Sequence, residues 1–242
     1  MIMFALSIAG CSSSGSKELS IDDPEQAYRI AKEKYDDHDY LAAIDDFSFI
    51  KIQFPGFTES DKVQFYLADS YYYRGEYILA SYEFDNLIKK YQSKLVAEAK
   101  YKLGLCYYQL SPKYSLDQEY TNYAVEELQL FVEQYPDDIN VPDAKAKLQE
   151  LKNKLAYKEY HTGELYMKNS DYHSASLYFN YVYENYIDSD WAGPAMLGHA
   201  EALINLYKYK EADKILERFY KTFPKSDQKH RADELRSKTH LN

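Results

Sequence analysis

Metal binding is the first chemistry the side chains raise, and it rests on few residues. His161 and Glu164 are three apart, which would place both on one helix face and could supply two ligands. His199 also has acids nearby. Neither set brings a third ligand at a suitable spacing, so surface or packing roles fit them better, and no metal or cofactor is expected. The pairs Asp36-Asp37, Asp45-Asp46 and Asp137-Asp138 fall at turns or on helix faces, where solvation accounts for them. The sequence contains no glycine-rich phosphate loop, no GxSxG elbow and no HExxH helix. With no catalytic constellation visible, the sequence reads as a non-enzyme.

The two cysteines fall in different company. Cys106 lies in an apolar helical run, where a lone thiol acts as a small core hydrophobe. Cys11 closes the apolar stretch from Ile2 to Gly10 and is followed at once by SSSGS. Ile8-Ala9-Gly10-Cys11 resembles a bacterial lipobox, which implies a signal peptide over 1–10, acylation of Cys11 and a tether over 11–20. No Lys or Arg precedes the apolar stretch, so the usual basic flank is missing or lies upstream.

The elements that must carry these residues are helices. In 242 residues there are only 8 Gly and 7 Pro, against long tracts rich in Ala, Leu, Glu, Lys and Tyr, which disfavours turn-rich β structure. A net charge of −10 with no compensating basic stripe argues against nucleic acid as a partner. Tyrosine, at 28 residues, is the outlier; it combines apolar area with a polar tip and suits half-buried surfaces.

A repeat emerges from Ile21 onward. Tyr40, Ala43, Phe47, Ile50 and Phe54 recur as Tyr77, Ala80, Phe84, Leu87 and Tyr91. The pattern returns as Ala124, Leu128, Phe131 and Tyr135, then as Tyr172, Ala175, Phe179, Val182 and Tyr186, and finally as Tyr209, Ala212, Leu216, Phe219 and Phe223. Each copy follows a helical segment with a small residue, Ala31, Ala68, Gly104, Gly163 or Gly198, where a partner helix can approach closely. Pro55, Pro136 and Pro224 end second helices, while Pro24, Pro142 and Pro194 sit in first turns. This pattern resembles the tetratricopeptide repeat. The expected fold is all-α: a solenoid of five helix-turn-helix units, about 24–56, 57–93, 94–137, 141–188 and 189–224, with a polar capping helix within 225–242. Unit four carries a long first helix, roughly Val141 to Lys168, and unit three an insertion from Ser111 to Thr121.

Counting from each small residue, rings recur at −3 and +4, seven apart and so on one helix face. They are Tyr28, Phe65, Tyr101 and Tyr160 in one row, and Tyr35, Tyr72 and Tyr108 in the other, with Met167 in unit four and Ala195 and Ala202 in unit five. Tyr71, Tyr107 and Tyr166 are read as core. The two rows predict an aromatic peptide-binding groove along the first four units. Three rings losing half of ~150–250 Å² each would give on the order of 6 to 9 kcal/mol, much of it offset by ordering the peptide. That suits weak, reversible capture.

The insertion Leu110-Ser111-Pro112-Lys113-Tyr114-Ser115-Leu116-Asp117-Gln118, with Ala124, Leu128, Phe131 and Tyr135-Pro136 after it, resembles the BamD family of outer-membrane assembly lipoproteins. A second match runs from Lys154-Leu155-Ala156 to Tyr160 and on to Asp171-Tyr172. The resemblance covers the whole chain after Cys11. It implies a non-enzymatic scaffold, lipid-anchored at the periplasmic face of the outer membrane. Its partners would be the barrel subunit BamA and other assembly-complex subunits, with the C-terminal units contacting BamA, and unfolded outer-membrane protein segments. A periplasmic repeat lipoprotein that organises cell-wall or secretion machinery is the alternative.

Overall fold

A computed structural model describes residues 22–240, and every regular element among them is a helix. Five helix-turn-helix pairs follow one another: α1 (Pro24–Asp36) with α2 (Tyr40–Gln53), and α3 (Ser60–Tyr73) with α4 (Tyr77–Lys90). Then come α5 (Val96–Leu110) with α6 (Glu119–Gln134), α7 (Val141–Lys168) with α8 (Tyr172–Asn185), and α9 (Ala192–Asn205) with α10 (Tyr209–Thr222). A last helix, α11 (Lys229–His240), packs on α9 and α10. The signal-peptide and tether residues and Cys11 lie outside the described residues.

Local chemistry fixes these boundaries. Asp23 accepts the backbone N–H groups of Glu25 and Gln26, with Pro24 opening α1. Asp39 and Asp171 cap α2 and α8 in the same way through Ala42 and Ser174. The turns inside units one, two, four and five share one design. The residue after the turn's left-handed position donates five residues back: Asp39 to Lys34, Glu76 to Tyr71, Asp171 to Tyr166 and Lys208 to Leu203. The left-handed positions are His38, Gly75, Ser170 and Tyr207, with φ of 64°, 77°, 60° and 61°.

The small residues stand where the helices touch. Ala31 and Ala68 are fully buried, as are Ala43, Ala80, Ala124, Ala175 and Ala212 on the second helices. A Cβ on Gly104 would come within 2.6 Å of Leu128, and one on Gly163 or Gly198 within 2.8 Å of Phe179. Four residues after each of those alanines sits Phe47, Phe84, Leu128, Phe179 or Leu216, none more than 2% exposed. Each such side chain contributes roughly 1.5–3 kcal/mol of burial.

The extra length of α7 lets it serve two cores. Val141, Ala144, Leu148 and Leu151 pack with α6, while Ala156 and Tyr160 join the core shared by α8, α9, α10 and α11. Ala232 and Leu235 of α11 close that end, and the rest of the helix is polar, as a terminal cap requires.

Unit three departs from the common turn. Its connection runs from Ser111 to Gln118, shorter than the sequence suggested, because Glu119 to Thr121 already belong to α6. The segment is tied down on both sides. Gln118 Nε2 donates to the carbonyls of Lys113 and Leu116, and the Ser111 and Thr121 hydroxyls lie 2.6 Å apart. From α7, Lys154 Nζ reaches Ser111 Oγ at 2.9 Å and Lys158 Nζ reaches the Leu116 carbonyl at 2.9 Å. The Tyr114 ring stands edge-on to Tyr157, 4.6 Å between centroids. The insertion is a bracket that fastens unit three to α7.

Candidate functional site

The backbones of the first helices of successive pairs, α1, α3, α5, α7 and α9, approach one another in order, whereas the second helices of different pairs meet through long side chains, as in the ion pairs Lys51–Glu83 and Arg218–Glu184. The first helices therefore form the inner layer of the stack. Their side chains at the ring positions are not a bare aromatic surface. The Tyr35 hydroxyl donates to Asp69 Oδ2 at 2.6 Å, across from α1 to α3. From α5 to α7, Tyr101 donates to Asp143 Oδ2 at 2.5 Å and Tyr108 to Glu150 Oε2 at 2.6 Å. Donors and acceptors are each seven apart, so these two bonds are parallel rungs.

Lysines neutralise two of these acids, Asp69 and Asp143. Lys102 Nζ lies 2.8 Å from Asp69 Oδ1, with its side chain only 13% exposed, and sits 4.9 and 4.8 Å from the centroids of the Tyr72 and Tyr73 rings. Lys147 Nζ is 3.0 Å from Asp143 Oδ1 and 5.2 Å from the Tyr108 centroid. Such cation–ring contacts strengthen when the ammonium is stripped of water. Burial followed by the Asp69 bond holds the Tyr35 hydroxyl well above its usual range, and the bond to Glu150 pushes Tyr108 up to about 12. Burial opposes a charged Lys102, yet the charge of Asp69 and its bond keep the ammonium above its ordinary value. The inner face thus offers the ring surfaces of Tyr35, Tyr101 and Tyr108, whose hydroxyls are already satisfied, laced with closed ion pairs.

Of the seven predicted groove rings, Tyr28, Tyr35, Tyr72, Tyr101 and Tyr108 are half-buried on this layer. Tyr28 leans on Phe47 and Phe57, with centroids 6.2 and 6.1 Å away. Phe65 and Tyr160 are core residues, 4% and 8% exposed, and do not present open ring faces. Phe65 has no hydroxyl to bring to the surface and packs edge-on to Phe84; Tyr160 is covered by Phe179 and by Trp191, whose centroid is 5.0 Å away. Tyr71, Tyr107 and Tyr166 pack partly buried against the cores, as read from the sequence. The sequence reading missed Tyr73, which is 51% exposed and stacks on Tyr40 at 5.1 Å, and it missed the acids. Each carboxylate lies on the next first helix, 34 or 42 residues after its tyrosine and out of register with the ring rows.

Where the rung positions lapse, a recess opens. Met167 occupies the register of Tyr108, and Gly198 of α9 lines the same recess. A cavity of about 450 Å³ lies there, lined by His161, Glu164, Met167, Glu201 and Arg231, with Tyr160 at its wall. Arg231 pairs with Glu201 at 2.9 Å. His161 faces aromatic rings, 5.7 Å from Tyr114 and 5.9 Å from Tyr157. Among the described residues no group of three or more His, Cys, Asp or Glu side chains is arranged to hold a metal ion. His199 is buried in the last core, its Nδ1 2.7 Å from the Tyr183 hydroxyl. Cys106 is fully buried, and burial pushes its thiol far above its usual range. No helix among the described residues is long and apolar enough to cross a membrane.

Residues 21–196 match the model of the YfiO family, described as outer membrane lipoprotein, and residues 194–226 match a tetratricopeptide-repeat model. Over 215 residues the chain is 25% identical to outer membrane protein assembly factor BamD of Caulobacter vibrioides, covering 87% of this chain and 70% of that one. Among solved structures, the tetratricopeptide-repeat domain of P58(IPK) is 17% identical with a TM-score of 0.47, covering 91% of this chain and 56% of that one. The TPR2AB domain of yeast Sti1, in complex with pHSP90, is 14% identical with a TM-score of 0.43, covering 90% and 83%.

Proposed function

Because the chain belongs to the YfiO family of outer membrane lipoproteins, we propose that it is a non-enzymatic scaffold of the complex that assembles β-barrel proteins in the outer membrane. The observation that carries this reading is the family match over residues 21–196, which takes in the first four helix pairs, the bracket and its seat on α7. The assembly-factor relative supports the same assignment. In this role acylated Cys11 holds the protein at the periplasmic face. The C-terminal pairs bind the barrel subunit, and the inner face of the first three pairs receives unfolded precursor segments.

The ring surfaces of Tyr35, Tyr72, Tyr73, Tyr101 and Tyr108 suit the last task. The hydroxyls of Tyr35, Tyr101 and Tyr108 and the Asp69–Lys102 and Asp143–Lys147 ion pairs need no new partner when a peptide arrives, so apolar side chains can lie against those rings without stranding a polar group. The gain is modest and binding is reversible.

Co-purification from detergent extracts tests the reading. The tagged chain is expected to bring down a β-barrel outer-membrane protein in near-stoichiometric amount. Recovery of cell-wall or secretion components in its place would overturn the assignment in favour of a different periplasmic scaffold.

A further inference from the structure

α11 buries fewer residues than any other helix, Ala232 and Leu235 alone, against ten in α9. Those two stand 37 residues after Ala195 and Gly198, so α11 takes the place of a sixth first helix. Its backbone approaches α9 and α10 and no other helix among the described residues. Two apolar side chains on one face give it a small share of the core that fixes the pairs before it.

What holds the rest of the helix is polar. Arg231 pairs with Glu201 at 2.9 Å, Arg236 with Asp213 at 3.2 Å and with Glu217 at 3.8 Å, and the Tyr220 hydroxyl donates to Asp233. Every side chain in these ion pairs is at least 28% exposed, so water and salt weaken each of them. The fit around the helix is loose as well. Arg231 borders the recess of about 450 Å³, and Thr239 and His240 border a second cavity of about 560 Å³. Gln228, just before the helix, buries its Oε1 without a hydrogen-bond partner among the described residues, which favours its release to water. A helix of 12 residues has little stability of its own, so once its ties are screened it opens and unwinds together.

We propose that α11 is an ionic latch: it detaches from α9 and α10 as one unit while α1 to α10 stay folded, and its release carries Arg231 out of the wall of the recess beside Met167 and Tyr160. Cysteine modification of the full chain tests this, with each site read by peptide mass. In Ala232→Cys the new thiol is covered only while α11 is seated, whereas buried Cys106 reports opening of the stack itself. Iodoacetamide is expected to reach position 232 at least ~100-fold faster than Cys106. Raising sodium chloride from about 0.05 to about 1 M should speed modification at 232 roughly 5-fold and leave Cys106 unchanged. Adding Arg236→Gln should speed it at low salt and remove most of the salt effect. Amide exchange of the unsubstituted chain repeats the measurement without a change in the core: 229–240 should exchange together, ahead of 192–205. Equal rates at 232 and Cys106, or exchange of 229–240 in step with 192–205, would overturn detachment. A fast rate at 232 that ignores both salt and Arg236→Gln would overturn the ionic latch.

Discussion

The Tyr35 hydroxyl lies 2.6 Å from Asp69 on the next inner helix, and Asp69 in turn lies 2.8 Å from Lys102 on the helix after that. One carboxylate, 5% exposed, therefore joins three consecutive pairs. Removing the hydroxyl in Tyr35→Phe should cost about 1–3 kcal/mol. Asp69→Ala strands the Lys102 ammonium and should cost roughly 3–5 kcal/mol. Thermal melts of both variants check this ranking; equal stability would show that the rung is ornamental.

The insertion yields a second expectation. Lys154→Met keeps most of the stem packing but deletes the bond to Ser111. Amide exchange over 111–118 should speed up, with a global loss of only about 0.5–1.5 kcal/mol. Unchanged exchange would mean that Lys158 and Tyr114 hold the bracket alone.

Gly198 and Gly163 both lie against the Phe179 ring, each leaving only 2.8 Å for a Cβ. Gly198→Ala should destabilise by about 1–3 kcal/mol, since the ring is buried between two helices and has little room to shift. Gly56→Ala, where nothing lies within 4 Å, serves as the control and should be near neutral. A silent Gly198→Ala would show that the pairs slide more freely than their packing suggests.

His199 gives a pH dependence with a definite sign. Burial lowers its value from 6.5 to about 4, against the opposing charges of Glu211 and Glu184. The fold therefore favours the neutral ring. Its contribution is fully present above about 6.5, the unfolded-state value, and is lost as pH falls toward 4, to an extent on the order of 3 kcal/mol. A ring titration by NMR should have its midpoint near 4. A midpoint near 6.5 would mean that water reaches the ring, and His199→Gln should flatten the acid limb of the stability profile.

The fold was legible because each unit repeats the same small residue, alanine and aromatic, and packing selects for that triplet alone. α7 runs over Val141–Lys168, as its periodicity suggested. The inner face was harder to read. Ring spacing gave a shared helix face but not depth, and depth depends on neighbours from other units. Tyr101 is drawn outward by Asp143, whereas Tyr160, in the same register, is roofed by Trp191. The bonds that turn the tyrosine rows into rungs run between positions 34 or 42 apart. Periodicity within one helix could not expose them, and the acids stand out of register with the repeat, so aligning the units would not pair them with their tyrosines either.

α7, finally, acts as a ruler. At 28 residues it is about 42 Å long at 1.5 Å per residue. One end is embedded in the core of the third pair and the other in the core of the last two. Bending it would disturb both cores at once, so the tyrosine-lined face of the first three pairs and the last two pairs are held at a set separation. Two molecules engaged at these places would be kept at a fixed span and heading, a geometric constraint that neither surface could impose alone.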